Sequence, residues 1–118
     1  MRDDKLYLIH MNECISRIEE YASGGRNEFF ADKKTQDAVL RNLQLLAESS
    51  KRLAENLKEQ HPEVDWKGIA GIRNVLVHDY PGVNLARVWE IVEADLPDLK
   101  ERIRSILASL DRGGSAMP

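Results

Sequence analysis

Apolar residues recur at helical spacing in four segments of the chain, and this periodicity limits its possible folds more than any other feature. In the first segment the apolar positions are spaced by three, four, three and four residues, which places them on one face of a helix. Gly24 and Gly25 follow, at a position where glycine commonly ends a helix. The face consists of Leu8, Met11, Ile15, Ile18 and Ala22.

The second segment predicts the longest helix. Asp32 or Thr35 is its expected N-cap, and the pattern continues to about Gln60, where Pro62 stops it. The residues on its inward face are Val39, Leu43, Leu46, Ser50, Leu53 and Leu57.

A third, shorter helix is predicted to begin at Asp65, a further N-cap candidate, and to end before Pro81-Gly82. Its Val-Leu-Val run alone would suit a strand, but the chain contains no second strand with which it could pair. Gly68 and Gly71 each cost about 1 kcal/mol relative to alanine inside a helix. They therefore predict a close approach of another helix.

The fourth segment predicts a helix that begins after the N-cap Asn84 and kinks or restarts at Pro97. Its apolar positions are Val88, Val92, Leu96, Leu99, Ile103, Ile106 and Leu110. Four amphipathic helices with short connections predict an all-α, antiparallel up-and-down bundle. We expect a single domain over residues 1–112 and a flexible tail over residues 113–118.

Composition excludes several classes of protein. The 118 residues carry 17 Lys and Arg against 20 Asp and Glu, a net charge of -3, so bulk positive charge does not hold nucleic acid here. A single cysteine, Cys14, cannot form an internal disulfide. No apolar run is long enough to span a bilayer, and the N-terminus does not resemble a secretory signal. These features predict a cytoplasmic protein without membrane association.

The common catalytic patterns are also missing. The chain contains no Glu-x-x-His pair, and His10, His61 and His78 lie on different segments, so neither a metal nor another cofactor is expected. Cys14 lies four residues from His10 on one helix, but its place near the apolar face favours a buried, inert thiol. No Gly-rich phosphate loop occurs.

One stretch, RNVLVHDY, gathers several reactive side chains at the end of the third helix. The helix dipole there favours a protonated His78, which can give or take a proton near neutral pH. Arg73 can stabilise negative charge on a phosphate. The structural alternative is that Arg73 pairs with an acidic neighbour, His78 caps the last carbonyls and Tyr80 packs half-buried. Spacing alone does not decide between the two interpretations.

The same stretch resembles the R-N-x-x-x-H-x-Y signature of the HepT-like toxins of the HEPN superfamily. The surrounding segments AVLRNLQLLAESSKRL, PEVDWKGIAGIRNVLVHDYPGVNLARVWEIV and LPDLKERI follow in the family's order, so the resemblance covers roughly residues 4 to 110. It implies an all-helical homodimer, and a metal-independent ribonuclease that is the toxin of a toxin–antitoxin system, acting on tRNA or mRNA.

The resemblance also implies roles for individual residues. Arg73 and His78 would be catalytic, and Asn74 would support them. Tyr80 would receive AMP from an MNT-type nucleotidyltransferase, the antitoxin. Lys67 and Arg87, close to the motif in sequence, are candidates for a local cationic patch that would bind RNA.

Three functions remain open at this point. The first is the ribonuclease toxin. The second is a non-catalytic partner of the nucleotidyltransferase that binds nucleotide or protein, and the third is a helical dimerisation protein without a site. Nuclease assays separate the first from the others, since a neighbouring nucleotidyltransferase would suit the first two equally.

Overall fold

Helices form nearly all of the part of the chain that the computed structural model describes, namely the backbone of residues 2–77 and 83–116 and the side chains of residues 3–76 and 83–112. They are α1 (Arg2–Tyr21), α2 (Arg26–Ala31), α3 (Lys33–Lys51), α4 (Glu55–Gln60), α5 (Trp66–Val77), α6 (Leu85–Glu90) and α7 (Leu96–Ala116), with a π-helical segment (Ile91–Asp95) between α6 and α7. Within these ranges there is no strand, which confirms the all-α prediction.

The four long helices α1, α3, α5 and α7 form the bundle, in which α3 packs between α1 and α5 while α7 packs on α1. The predicted apolar faces supply the core. Its fully buried side chains include Leu8, Met11, Ile15, Ile18, Val39, Leu43, Leu46, Ile103 and Ile106. Among the predicted face residues, Ala22, Val92 and Leu110 are only half-buried and pack at the edge of the core.

The predicted N-caps are confirmed at the helix starts. The Asp32 carboxylate accepts a hydrogen bond from the backbone N–H of Lys34 (3.0 Å), and the Asn84 side chain accepts one from that of Arg87 (3.1 Å). Each bond satisfies a backbone donor that has no partner inside its helix. Gly25, with a φ of 92°, follows the end of α1 in the left-handed region where glycine is favoured.

The second predicted helix is not continuous to Gln60: it ends at Lys51, and α4 begins at Glu55. The buried carboxylate of Asp4 in α1 accepts a hydrogen bond from the backbone N–H of Ala54 (3.0 Å), which fixes the break. Leu53 on one side and Leu57 on the other are both buried, so the apolar spacing persists although the helix does not.

Helix α2 was not predicted, because six residues are too few to show a helical period. Its Phe29 is fully buried and its ring lies 5.2 Å, centroid to centroid, from that of Trp89. The side-chain amide of Gln36 donates to the carbonyls of Phe29 and Phe30 (3.0 and 3.2 Å) and so joins α2 to α3.

The predicted restart at Pro97 takes the form of the π-helical segment, which directly precedes α7. Proline lacks the N–H that would bond the carbonyl four residues earlier, and a widened turn accommodates this loss. Helix α7 then continues through Ala116, four residues into the segment predicted as a tail. No helix among the described residues is long and apolar enough to cross a membrane.

The prediction that Gly68 and Gly71 allow another helix to approach closely was wrong. A Cβ at Gly68 would meet the carboxylate of Asp65, a residue of the same helix start, and a Cβ at Gly71 would have no described atom within 4 Å. Gly68 therefore makes room for the capping side chain of its own helix.

Candidate active site

Helix α5 carries the first half of the RNVLVHDY stretch. Arg73 and Asn74 lie in its last turns and both are exposed. His78 and Tyr80 lie outside the described residues, so their predicted roles stay predictions. The alternative in which Arg73 pairs with an acidic neighbour is not supported, since its side chain has no ion pair or hydrogen bond with any residue that the structure describes.

The start of α5 is fixed by its own capping residue. The Asp65 carboxylate accepts a hydrogen bond from the backbone N–H of Gly68 (2.9 Å). On the inner face of the helix, Ile69 and Ile72 are buried in the core. The cap and these two anchors set the rotation of α5, and so the direction in which Arg73 projects.

Arg73 and Asn74 line a groove of about 730 Å³ between α3, α4 and α5. Trp66 and Ala70 complete the α5 wall, in keeping with the helical spacing of positions 66, 70, 73 and 74. The opposite wall includes three cations: Lys51 at the end of α3, Arg52 in the break and Lys58 in α4. We call these residues together with Trp66, Arg73 and Asn74 the basic groove.

The cations of the basic groove are weakly neutralised. Lys51 and Arg52, like Arg73, form no ion pair within the described chain, and Lys58 has only a long contact to Glu55 (3.8 Å). Glu48 is the acidic residue among the described lining side chains, and its carboxylate accepts from the amide of Gln44 (3.2 Å). The groove is thus locally positive although the net charge of the chain is -3.

Lys67 and Arg87, which the sequence offered as candidates for a cationic patch, do not line the basic groove. Lys67 is exposed but lines neither this groove nor the one on the other side of α5. Arg87 lies in that second groove, where its guanidinium contacts Glu90 (3.4 Å) and Asp95 (4.0 Å). Sequence proximity to the motif did not predict which cations line the groove with Arg73, because Lys67 lies on another face of α5 and Arg87 lies on α6.

The second groove, of about 400 Å³, lies between α5, α6, the π-helical segment and α7. Its floor is apolar, and Asp65, Asp95 and Asp98 line it together with Arg87. Among the described residues, the two sides of α5 therefore differ in charge: cations predominate in the basic groove and carboxylates in the second groove.

Cys14 behaves as the sequence predicted. It is fully buried, and loss of solvation raises the pKa of its thiol above the ordinary value of 9.0. The Nδ1 of His10 hydrogen-bonds the Ser49 hydroxyl (2.6 Å), so His10 is engaged with α3. A thiolate nucleophile at Cys14 is therefore not supported.

No group of three His, Cys, Asp or Glu residues in the described part of the chain is arranged to hold a metal ion. The groove-lining residues that sequence reasoning did not single out are Lys51, Arg52, Lys58 and Trp66. Trp66 and Arg73 are seven residues apart on α5, which was a readable signal of a shared face. The cations could not be assigned, since only the packing of α3 and α4 brings them opposite Arg73.

The chain is similar to known proteins over most of its length. The family model described as Ribonuclease HepT-like matches residues 11–106. The probable ribonuclease HepT of Thermococcus cleftensis is 38% identical over 106 residues, which covers 89% of this chain and 96% of that protein. A Methanocaldococcus jannaschii protein is 39% identical to this chain over 112 residues, and its name combines a gamma-glutamylcyclotransferase with an RNase assignment. The matched region covers 94% of this chain but only 50% of that protein.

A solved structure also matches the fold. It is that of a tri-AMPylated Shewanella oneidensis HEPN toxin in complex with MNT antitoxin, with a TM-score of 0.67 and 26% identity. The match covers 92% of this chain and 99% of that one, so the bundle corresponds over nearly its whole length. On the family match and this fold, the chain belongs to the HepT-like ribonucleases of the HEPN superfamily.

Proposed function

We propose that this chain is a metal-independent endoribonuclease, the toxin of a HEPN/MNT toxin–antitoxin pair, and that Arg73 lies in its active site. The observation that carries the proposal is the setting of Arg73, an exposed guanidinium without an acidic partner among the described residues, at the mouth of a basic groove. Such a side chain is free to bind a phosphate.

The proposed reaction uses protein side chains for proton transfer and for charge stabilisation. A base removes the proton of a ribose 2′-OH, the oxygen attacks the adjacent phosphorus, and the 5′-oxygen leaves with a proton from an acid. The products are a 2′,3′-cyclic phosphate and a free 5′-hydroxyl. His78 is proposed for proton transfer, and Arg73 for stabilising the additional negative charge at phosphorus. Asn74 would support both through hydrogen bonds.

A homodimer gives this chemistry its second proton-transfer group. One chain supplies a single motif histidine, whereas the reaction needs a base and an acid. In a symmetric dimer with the two motifs facing one cleft, each copy would contribute one His78. We propose this arrangement on chemical grounds.

Control by an MNT-type nucleotidyltransferase is the second part of the proposal. It is supported by the similar toxin that was solved in AMPylated form with an MNT antitoxin. Transfer of AMP from ATP to the Tyr80 hydroxyl would release pyrophosphate and leave a bulky anion close to Arg73. That anion would repel RNA and occupy the phosphate position.

Cleavage of a labelled RNA pool, tRNA and mRNA included, tests the nuclease. Unmodified protein, its mass verified, should cut RNA in EDTA, whereas His78→Ala prepared in parallel should not. Cutting that needs added metal would reject metal independence. A dimeric, unmodified protein that never cuts RNA would favour the non-catalytic partner instead.

Incubation with the cognate nucleotidyltransferase and ATP tests the modification. Intact mass should increase by one or more adenylyl groups in the wild type and in Tyr21→Phe, a control that removes an exposed tyrosine outside the motif. Tyr80→Phe should stay unmodified and keep its nuclease activity in the presence of the antitoxin and ATP. Modification of Tyr80→Phe would place the acceptor elsewhere.

A further inference from the structure

The basic groove extends well beyond the reach of Arg73. Lys51, Arg52 and Lys58 line it on the α3 and α4 side, while Trp66 lies two helical turns before Arg73 on α5, about 10 Å along the helix axis. Cleavage of one phosphodiester requires only the groups around the reacting phosphate. The remaining cations therefore need another explanation.

Trp66 is held in a fixed orientation. Its indole N–H donates a hydrogen bond to the carbonyl of His61 (2.9 Å), and its ring is half-buried with one part lining the groove. A rigid aromatic ring beside a row of cations is the arrangement by which proteins hold unpaired bases. The ring stacks on a base while the cations contact the backbone phosphates.

The charges elsewhere around α5 restrict where a polyanion could lie. The groove on the opposite side is lined by Asp65, Asp95 and Asp98, and Arg87 there contacts Asp95 and Glu90. A strand of phosphates would be repelled from that side and attracted to the basic groove.

We propose that the basic groove binds a single-stranded segment of the RNA substrate, with its phosphates on Lys51, Arg52 and Lys58 and a base stacked on Trp66, and so leads the strand to Arg73. A duplex would not fit, because its bases are already stacked on each other and unavailable to Trp66. This inference rests on the proposed ribonuclease function and adds the form of RNA that the enzyme selects.

Binding of an uncleavable 2′-O-methyl RNA oligonucleotide to the His78→Ala protein tests the groove separately from the chemistry. The charge variant is Lys51→Gln/Arg52→Gln/Lys58→Gln. Its matched control, Lys33→Gln/Lys34→Gln/Lys67→Gln, removes three exposed cations that do not line the groove. Fluorescence anisotropy is measured over a range of salt concentrations, and thermal melts verify that both variants fold.

We expect the charge variant to bind at least about 10-fold more weakly at low salt, and its plot of log affinity against log salt to be shallower by about 2. The control should keep the slope of the parent. The same oligonucleotide annealed to its complement should bind more weakly than the single strand. Equal losses in the two triple variants, or equal binding of duplex and single strand, would overturn the proposal.

Contact between RNA and Trp66 can be followed by the fluorescence of the indole ring. The chain contains two tryptophans, and Trp89 is buried with an indole N–H that has no hydrogen-bond partner in the described structure, so Trp89→Phe loses no such bond. In that background, RNA should quench the Trp66 fluorescence along the same curve as the anisotropy. Trp66→Leu should weaken binding by about 10-fold. Tight binding without quenching would exclude the stacked base.

The groove and the nuclease can fail independently. If the wild type cuts RNA in EDTA and the charge variant binds and cuts as well as its control, RNA binding in the basic groove is rejected. The proposed ribonuclease activity is then retained. If the oligonucleotide binds as described but the wild type never cuts, the groove stands as a binding site and the proposed activity is wrong.

Discussion

The carboxylate of Asp65 accepts a hydrogen bond from the backbone N–H of Gly68 (2.9 Å), and this contact begins the helix that carries Arg73. A Cβ at position 68 would collide with that carboxylate. The two residues therefore depend on each other: the glycine admits the cap, and the cap satisfies the glycine's N–H.

Removal of this cap should lower stability. Asp65→Ala is expected to reduce the free energy of unfolding by about 1 kcal/mol, because a helix-start N–H loses its acceptor. Asp65→Asn, whose side-chain oxygen can also cap, should stay close to the wild type. Chemical denaturation of the three proteins checks this, and equal stability of Asp65→Ala and the wild type would contradict it.

Substitution of Gly71 by alanine should increase the stability of the protein. Its position has no described atom within 4 Å of an added Cβ, and alanine favours the helix over glycine. We expect Gly71→Ala to raise the free energy of unfolding by about 0.5–1 kcal/mol. Gly68→Ala, in the same helix, should lower it by displacing the Asp65 carboxylate. A loss of stability in Gly71→Ala would contradict this expectation.

Asp4 should contribute to the stability of the fold. It is 8% exposed and accepts from the backbone N–H of Ala54, so it joins α1 to the break between α3 and α4. Asp4→Ala would leave that N–H without its acceptor and should cost about 1–3 kcal/mol. Asp3→Ala, exposed and one residue away, is the control. Similar thermal melts for the two variants would refute the role.

The buried thiol of Cys14 predicts a dependence on alkaline pH. Burial raises the pKa of the folded-state thiol above 9.0, so above that pH the folded state holds a proton that the unfolded chain has lost. The contribution of this group to stability is therefore complete below the unfolded pKa and falls as pH increases through the folded one. Denaturation of wild type and Cys14→Ala from pH 7 to 10.5 should show a steeper decline in the wild type, and parallel declines would contradict the assignment.

The parts of the fold that depend on neighbouring residues were predictable. Helix faces follow from apolar spacing, and Asp32 and Asn84 were recognisable as caps because a cap bonds to its own first turn. The RNVLVHDY stretch is also a local pattern and singles out Arg73, whereas the role of Asn74 follows from the family resemblance alone; both roles stay predictions.

The parts that depend on distant residues were not predictable. The break before α4 is fixed by Asp4, fifty positions earlier, and no local pattern signals it. The basic groove likewise forms only when α3 and α4 pack opposite α5.

If Arg73 acts directly in metal-free RNA cleavage, its removal should slow the reaction, whereas removal of another exposed arginine should not. Unmodified Arg73→Ala and Arg104→Ala are assayed in EDTA on the same end-labelled RNA, with the wild type alongside; Arg104 is an exposed arginine of α7 that pairs with Glu101. We expect 2′,3′-cyclic phosphate ends from the wild type and Arg104→Ala, and cleavage at least about 100-fold slower in Arg73→Ala. Equal rates for the two arginine variants would contradict it.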